Sequence, residues 1–241
     1  MAPWLVGCGI LCATSVASGP SAALPETVPA FVAEAAQTSV ADLAYALAEA
    51  SIPAGFVVFE GDFDDQSIGQ SGVLWHLRSE METRTVPRET VVAAFRARHP
   101  GYEVGDRGGA LLIRANSMGF VPLLDEARGS RFQLNGEPLS TAFNKTERFV
   151  DPTIPIRGGV VGSVASNPDE PPRNWTEPTV SLDIQNATLV SALNEIVKEA
   201  PGAVSVLSRH RNGSEYYTLA YRMPGGLLTR LDDQIRIQRK R

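Results

Sequence analysis

Residues 180–207 read VSLDIQNATLVSALNEIVKEAPGAVSVL, and this stretch sets the fold class. Val180, Leu182 and Ile184 alternate with polar residues, the period of a strand with one buried face. Asn186 stands where a helix cap belongs, and Leu189, Leu193, Ile196 and Val197 then recur at helical spacing. Pro201-Gly202 ends the helix, and Ala203 to Leu207 begins a hairpin that turns at Asn212-Gly213 and returns over Tyr216 to Tyr221. Strand, helix and hairpin in one run predict a small β-α-β-β unit.

The same grammar occurs upstream. Ser39 reads as an N-cap before Leu43 and Leu47, Pro53 stops that helix, and Gly55 to Phe59 forms a continuous apolar strand. Thr85-Val86 is a short strand before a helix with Pro87 near its first turn and Val91, Val92 and Phe95 on its apolar face. His99-Pro100-Gly101-Tyr102 corresponds to Ala200-Pro201-Gly202-Ala203, and a hairpin follows around residues 106–109. A fainter copy aligns Phe132 to Leu139, then Ala142-Phe143, with Leu182 to Leu189, then Ala192-Leu193. The expected fold is α+β: repeated small β-α-β(β) units, each with a helix packed on a two- to three-stranded sheet.

The N-terminus carries no charged side chain before Glu26. An apolar run from Trp4 to Ala13, a Gly19-Pro20 break and the small residues Ser21-Ala22-Ala23 follow the order of a secretory signal cleaved after Ala23. The expected organisation is therefore a signal peptide at 1–23, a β-α-β/β-α-β-β domain at 24–115 and a partial β-α unit at 116–157. A Gly/Pro-rich linker at 158–178 and a second β-α-β-β unit with a basic tail at 179–241 complete it. Export places the protein in the periplasm or outside the cell, with no membrane span once the signal is removed. The competing reading is a membrane-anchored lipoprotein through Cys8, since Leu5-Val6-Gly7-Cys8 is lipobox-like. Both cysteines, Cys8 and Cys12, fall inside the signal, so the mature chain is expected to hold no disulfide, thiolate metal site or cysteine nucleophile.

Residues 39–114 resemble the short N-terminal domain shared by secretins and TonB-dependent signalling receptors. The resemblance is carried by SVADLAYALAEASIPAGFVVFE (39–60) and TVPRETVVAAFRARHPGYEVGDRGGALLIRA (85–115). Residues 179–206 with YYTLAYR (216–222) are similar to a further copy of its second half. The resemblance implies a module that binds protein partners in the periplasm and performs no chemistry. No barrel, plug or secretin ring accompanies it in this sequence, so no transport role is carried over.

Mean hydropathy is −0.07 and 43% of residues are hydrophobic, values of an ordinary soluble globular chain. A net charge of −5 opposes nucleic-acid binding. No catalytic, cofactor or metal residue is assigned. His76, His99 and His210 lack a second histidine at ligand spacing, and His99 reads as a last-turn imidazole suited to the helix dipole. Glu60, Asp62, Asp64 and Asp65 read as a solvated loop without the EF-hand order. The N-x-S/T triplets start at Asn144, Asn174, Asn186 and Asn212, and the family resemblance points away from glycosylation. The expected function is an exported non-enzymatic interaction module of the cell envelope, recognising an envelope protein. The alternative is an envelope hydrolase with a site near His76, Glu80 and Asp62. The expected partner surface is the edge of the 216–221 strand, through Tyr217, Leu219 and Tyr221. The competing outcome there is that Ile235 to Ile237 folds back and seals the edge.

The intact mass of the exported protein tests the processing reading. A mass that starts at Leu24 is expected; a mature form that keeps Trp4, or carries lipid on Cys8, contradicts it.

Overall fold

A computed structural model describes residues 23–59, 62, 84–116, 131–149, 156–158, 178–200, 202–209 and 217–222. Residues 1–22, which hold most of the expected signal peptide, lie outside them. The fold is α+β. Its first half runs β1 (Thr27–Pro29), α1 (Ala30–Ala35), α2 (Val40–Glu49), β2 (Ala54–Phe59), β3 (Thr85–Pro87), α3 (Arg88–Arg98), β4 (Tyr102–Asp106) and β5 (Leu111–Ala115). The second half runs β6 (Phe132–Pro138), α4 (Leu139–Phe149), β7 (Ile156–Gly158), β8 (Thr179–Ile184), α5 (Leu189–Glu199), β9 (Val204–Arg209) and β10 (Tyr217–Arg222).

Local chemistry explains the helix ends. Ser39 is extended, and its hydroxyl accepts from the Asp42 N–H at 3.0 Å while donating to the Asp42 carboxylate at 2.8 Å. Helix α5 departs from the expected cap. Thr188, not Asn186, caps it, with Ser191 closing a reciprocal box. Asn186 instead takes the exposed turn position at φ 52, a left-handed conformation that asparagine tolerates better than other side chains. Helix α3 stops at Arg98, before Pro100-Gly101, as expected.

The main sheet has six strands in the order β4-β5-β2-β9-β10-β7. The hairpins β4/β5 and β9/β10 are antiparallel, and β2 lies parallel to both β5 and β9. Two antiparallel ribbons, β1/β3 and β6/β8, stand apart from it. The sequence reading gave each unit its own small sheet; here the two halves share one through the β2–β9 ladder, Ala54↔Val204 to Phe59↔Arg209. Residues 131–158 and 178–222, read above as separate units, also join: β6 pairs with β8, β7 with β10, and α4 packs against α5.

The physical reason is burial on two faces. Ala54, Phe56 and Val58 of β2 enter a core with Val32, Leu43, Leu47, Val91 and Phe95 from α1, α2 and α3. Val57 points the other way, into a core with Leu139, Phe143, Leu193 and Ile196 from α4 and α5. Leu193 is 3% exposed, which agrees with its expected place on the sheet-facing stripe. A strand that is apolar at every position is stable only in the middle of a sheet covered on both sides.

At the joint, the backbone of Gly55 meets Asn194 of α5. A Cβ on Gly55 would stand 2.6 Å from Asn194 Oδ1 and 3.3 Å from Ser205 Oγ. Asn194 is 5% exposed, so its amide has little room to move aside. Gly55→Ala should therefore destabilise the protein by about 1–3 kcal/mol through overpacking. In an Asn194→Ala background the same change should cost much less. Urea unfolding of the four proteins measures the coupling, and additive effects would show that the two residues do not meet.

Candidate functional site

Tyr217, Leu219 and Tyr221 lie on β10, which is flanked on both sides. It is antiparallel to β9 along its length, and β7 runs parallel to it over Tyr217–Leu219. The edge expected there is thus occupied along its first half, by a strand that sequence reading had assigned to the end of a partial unit and the start of the linker. Ile235 to Ile237 lie outside the described residues. Among the described strands, the main sheet ends on β4 at one side and on β7 at the other.

The edge at β4 is the longer of the two. Its phase follows from the hairpin: Arg107 N–H donates to Ala110 O at 2.9 Å, and Asn116 N–H donates to Gly101 O at 2.8 Å. Antiparallel alternation then turns the main-chain groups of Glu103 and Gly105 toward β5, and those of Val104 and Asp106 outward. The turn itself needs glycine, with Gly108 at φ 64 and Gly109 at φ 95. On the outer side of β4, Tyr102 N–H donates to His99 O at 3.0 Å, and the guanidinium of Arg96 on α3 donates to Val104 O at 2.7 Å. Arg88 approaches Asp106 at 3.8 Å, which leaves Asp106 half-exposed.

A groove of about 260 Å³ runs between α3 and β4, with Val92 and Ala93 along the helix and Arg88, Glu89 and Arg96 at its rim. It shares Arg96, Val104 and Gly105 with a second hollow of about 550 Å³ that continues along the edge past Tyr102, Glu103 and Arg114. Glu103 and Arg114 are direct cross-strand neighbours.

His99 sits at the start of this edge. Its carbonyl accepts from Tyr102 N–H at 3.0 Å, and its ring lies 4.6 Å from that of Phe95. The Tyr102 hydroxyl donates to Asp62 at 2.6 Å. The Nε2 of His99 is buried and has no hydrogen-bond partner among the described residues. Burial lowers its pKa, Arg98 lowers it further, and Asp62 opposes both. The imidazole expected in the last turn thus lies in surroundings that favour its neutral form. Of the alternative trio, Asp62 is engaged by Tyr102, while His76 and Glu80 lie outside the described residues, as do Glu60, Asp64, Asp65 and His210. Among the described residues, no three His, Cys, Asp or Glu side chains stand together as metal ligands. No helix among them is long and apolar enough to cross a membrane.

Sequence reasoning missed β4 as an edge. Its residues Tyr102 to Asp106 alternate buried and exposed positions, whereas Val204 to Ser208 is buried throughout, but alternation marks a covered face and does not say which strands flank it. Comparison with family models, with curated proteins and with solved structures gives no match.

The lowered pKa of His99 has a stability consequence. The unfolded chain, with an ordinary imidazole pKa of about 6.5, binds the proton more tightly than the folded one. Stability is thus retained above that value and lost as pH falls through it toward the folded pKa. His99→Phe keeps the ring contact and removes the titration, so wild type should lose more stability than the variant between about pH 7.5 and about pH 5. Equal losses in urea midpoints would mean that His99 is not held neutral.

Proposed function

We propose that this chain is an exported, non-enzymatic protein-interaction module of the cell envelope that takes its partner along the β4 edge. The observation that carries the reading is the outward main chain of β4 beside a charged, open groove, in a sheet whose central strands are fully covered. A strand edge offers directional hydrogen bonds to another chain, and the flanking side chains select which chain. The β4 edge displaces β10 as the expected docking strand, because β7 already lies on the Tyr217–Leu219 half of β10.

Organisation supports the same reading. In each half a helix leads into an antiparallel hairpin, and the second hairpin strand has a parallel neighbour: β4-β5-β2 in one, β9-β10-β7 in the other. Each half adds a two-stranded ribbon. We read the halves as two modules of the kind the sequence resembles, and the resemblance implies binding of periplasmic proteins without chemistry.

Gly105 suits a test, because nothing lies within 4 Å of a Cβ built on it. A photoreactive p-benzoylphenylalanine at Gly105 of the full chain should yield one discrete adduct in intact cells. The same group at Gln133, exposed on β6, should yield none. Equal capture from both positions would assign partner binding to some other surface.

A further inference from the structure

The interior joint shows what the open groove is shaped to hold. There β2 of the first half lies parallel to β9 of the second beneath α5, with Gly55 against Asn194. Aligning the helix stops Pro100-Gly101 and Pro201-Gly202 sets Glu89, Ala93 and Arg96 of α3 beside Val190, Asn194 and Val197 of α5. Both triplets have the spacing of one helical stripe. In α5 that stripe is buried, where the helix covers β2. In α3 the corresponding stripe is exposed and lines the groove beside β4. The position that β2 fills on β9 has no described strand on β4.

We infer that the α3–β4 groove receives an extended strand of a partner protein, running parallel to β4 as β2 runs parallel to β9. This rests on the reading of β4 as the binding edge and adds the chemistry of the occupant. A small residue of that strand faces Ala93, as Gly55 faces Asn194. Helix α3 runs opposite to β4, and Arg96 reaches Val104 while Arg88 reaches Asp106. A parallel strand therefore passes Arg96 first and Glu89 last. Its groups facing α3 recur every second residue. The pattern that fits is a carboxylate two residues before the small residue and a cation two residues after it. A main-chain N–H of the strand takes Val104 O, and Arg96, released from that carbonyl, turns to the carboxylate. A second copy of this chain fits poorly, because its own outer strand β7 is Ile156-Arg157-Gly158 and carries no acidic residue for Arg96.

The test uses the full exported chain and two dye-labelled peptides followed by fluorescence anisotropy. One is Val-Glu-Val-Gly-Val-Lys-Val; the other exchanges its Glu and Lys. The first should bind about 5–10-fold more tightly, the size expected of two rim ion pairs. The exposed double change Glu89→Lys with Arg96→Glu should invert the preference. Equal affinities, no binding of either peptide, or a preference that the double change leaves in place overturns the inference. Discrete capture of a partner at Gly105 alongside any of those results would leave the interaction reading standing and this one rejected. An adduct of two copies of the chain would also reject it, in favour of self-association.

Discussion

The parallel contact of β2 with β9 organises this protein. Both strands are buried on both faces, so each needs a helix layer above and below and a strand on either side. Neither half supplies all of that alone. The first half places α1, α2 and α3 on one face, the second places α4 and α5 on the other, and the shared ladder lets each helix layer reach strands of the opposite half. Asn194 marks how close the approach is, since only a residue without a Cβ fits opposite its amide. The contact thus turns two small units into one sheet with two cores.

What holds the centre together also defines the ends. Among the described strands, the sheet built by joining unlike edges ends on β4 at one side and β7 at the other. At β4 the chemistry changes. Glu103, Gly105 and Asp106 are exposed, and Arg96 holds an outward carbonyl that would otherwise face water or another strand. Charges of this sort keep an edge from pairing indiscriminately. They also restrict which strand can replace water there, because a hydrophobic one would strand Glu89 and Arg96.

His99 couples the helix stop to this edge. Its carbonyl anchors Tyr102, the first residue of β4, and Tyr102 in turn holds Asp62. The imidazole is packed on Phe95 and carries a buried nitrogen with no described partner. A proton placed there would charge a group that burial disfavours.

Several features were legible in the residues alone because they depend on neighbours in sequence. The Ser39 cap, the Pro100-Gly101 stop, the apolar stripe through Leu193 and the hairpin turn at Gly108-Gly109 each rest on contacts within a few residues. Even so, Thr188 took the cap expected of Asn186, since two residues of similar capping chemistry stand two positions apart at one helix end. Strand neighbours were not legible in the same way. Tyr217 to Tyr221 alternates as an edge strand would, yet β7 lies along it, because pairing is decided by chain segments about sixty residues away. Alternation reports which face of a strand is buried and says nothing of who lies beside it. Residues near in sequence were enough to place α2 to α5, the two hairpins and the α+β class, but not β1 or α1. Only the assembled chain pairs β2 with β9 and leaves β4 last in the sheet among the described strands, because an edge is a property of the assembled sheet and not of any strand within it.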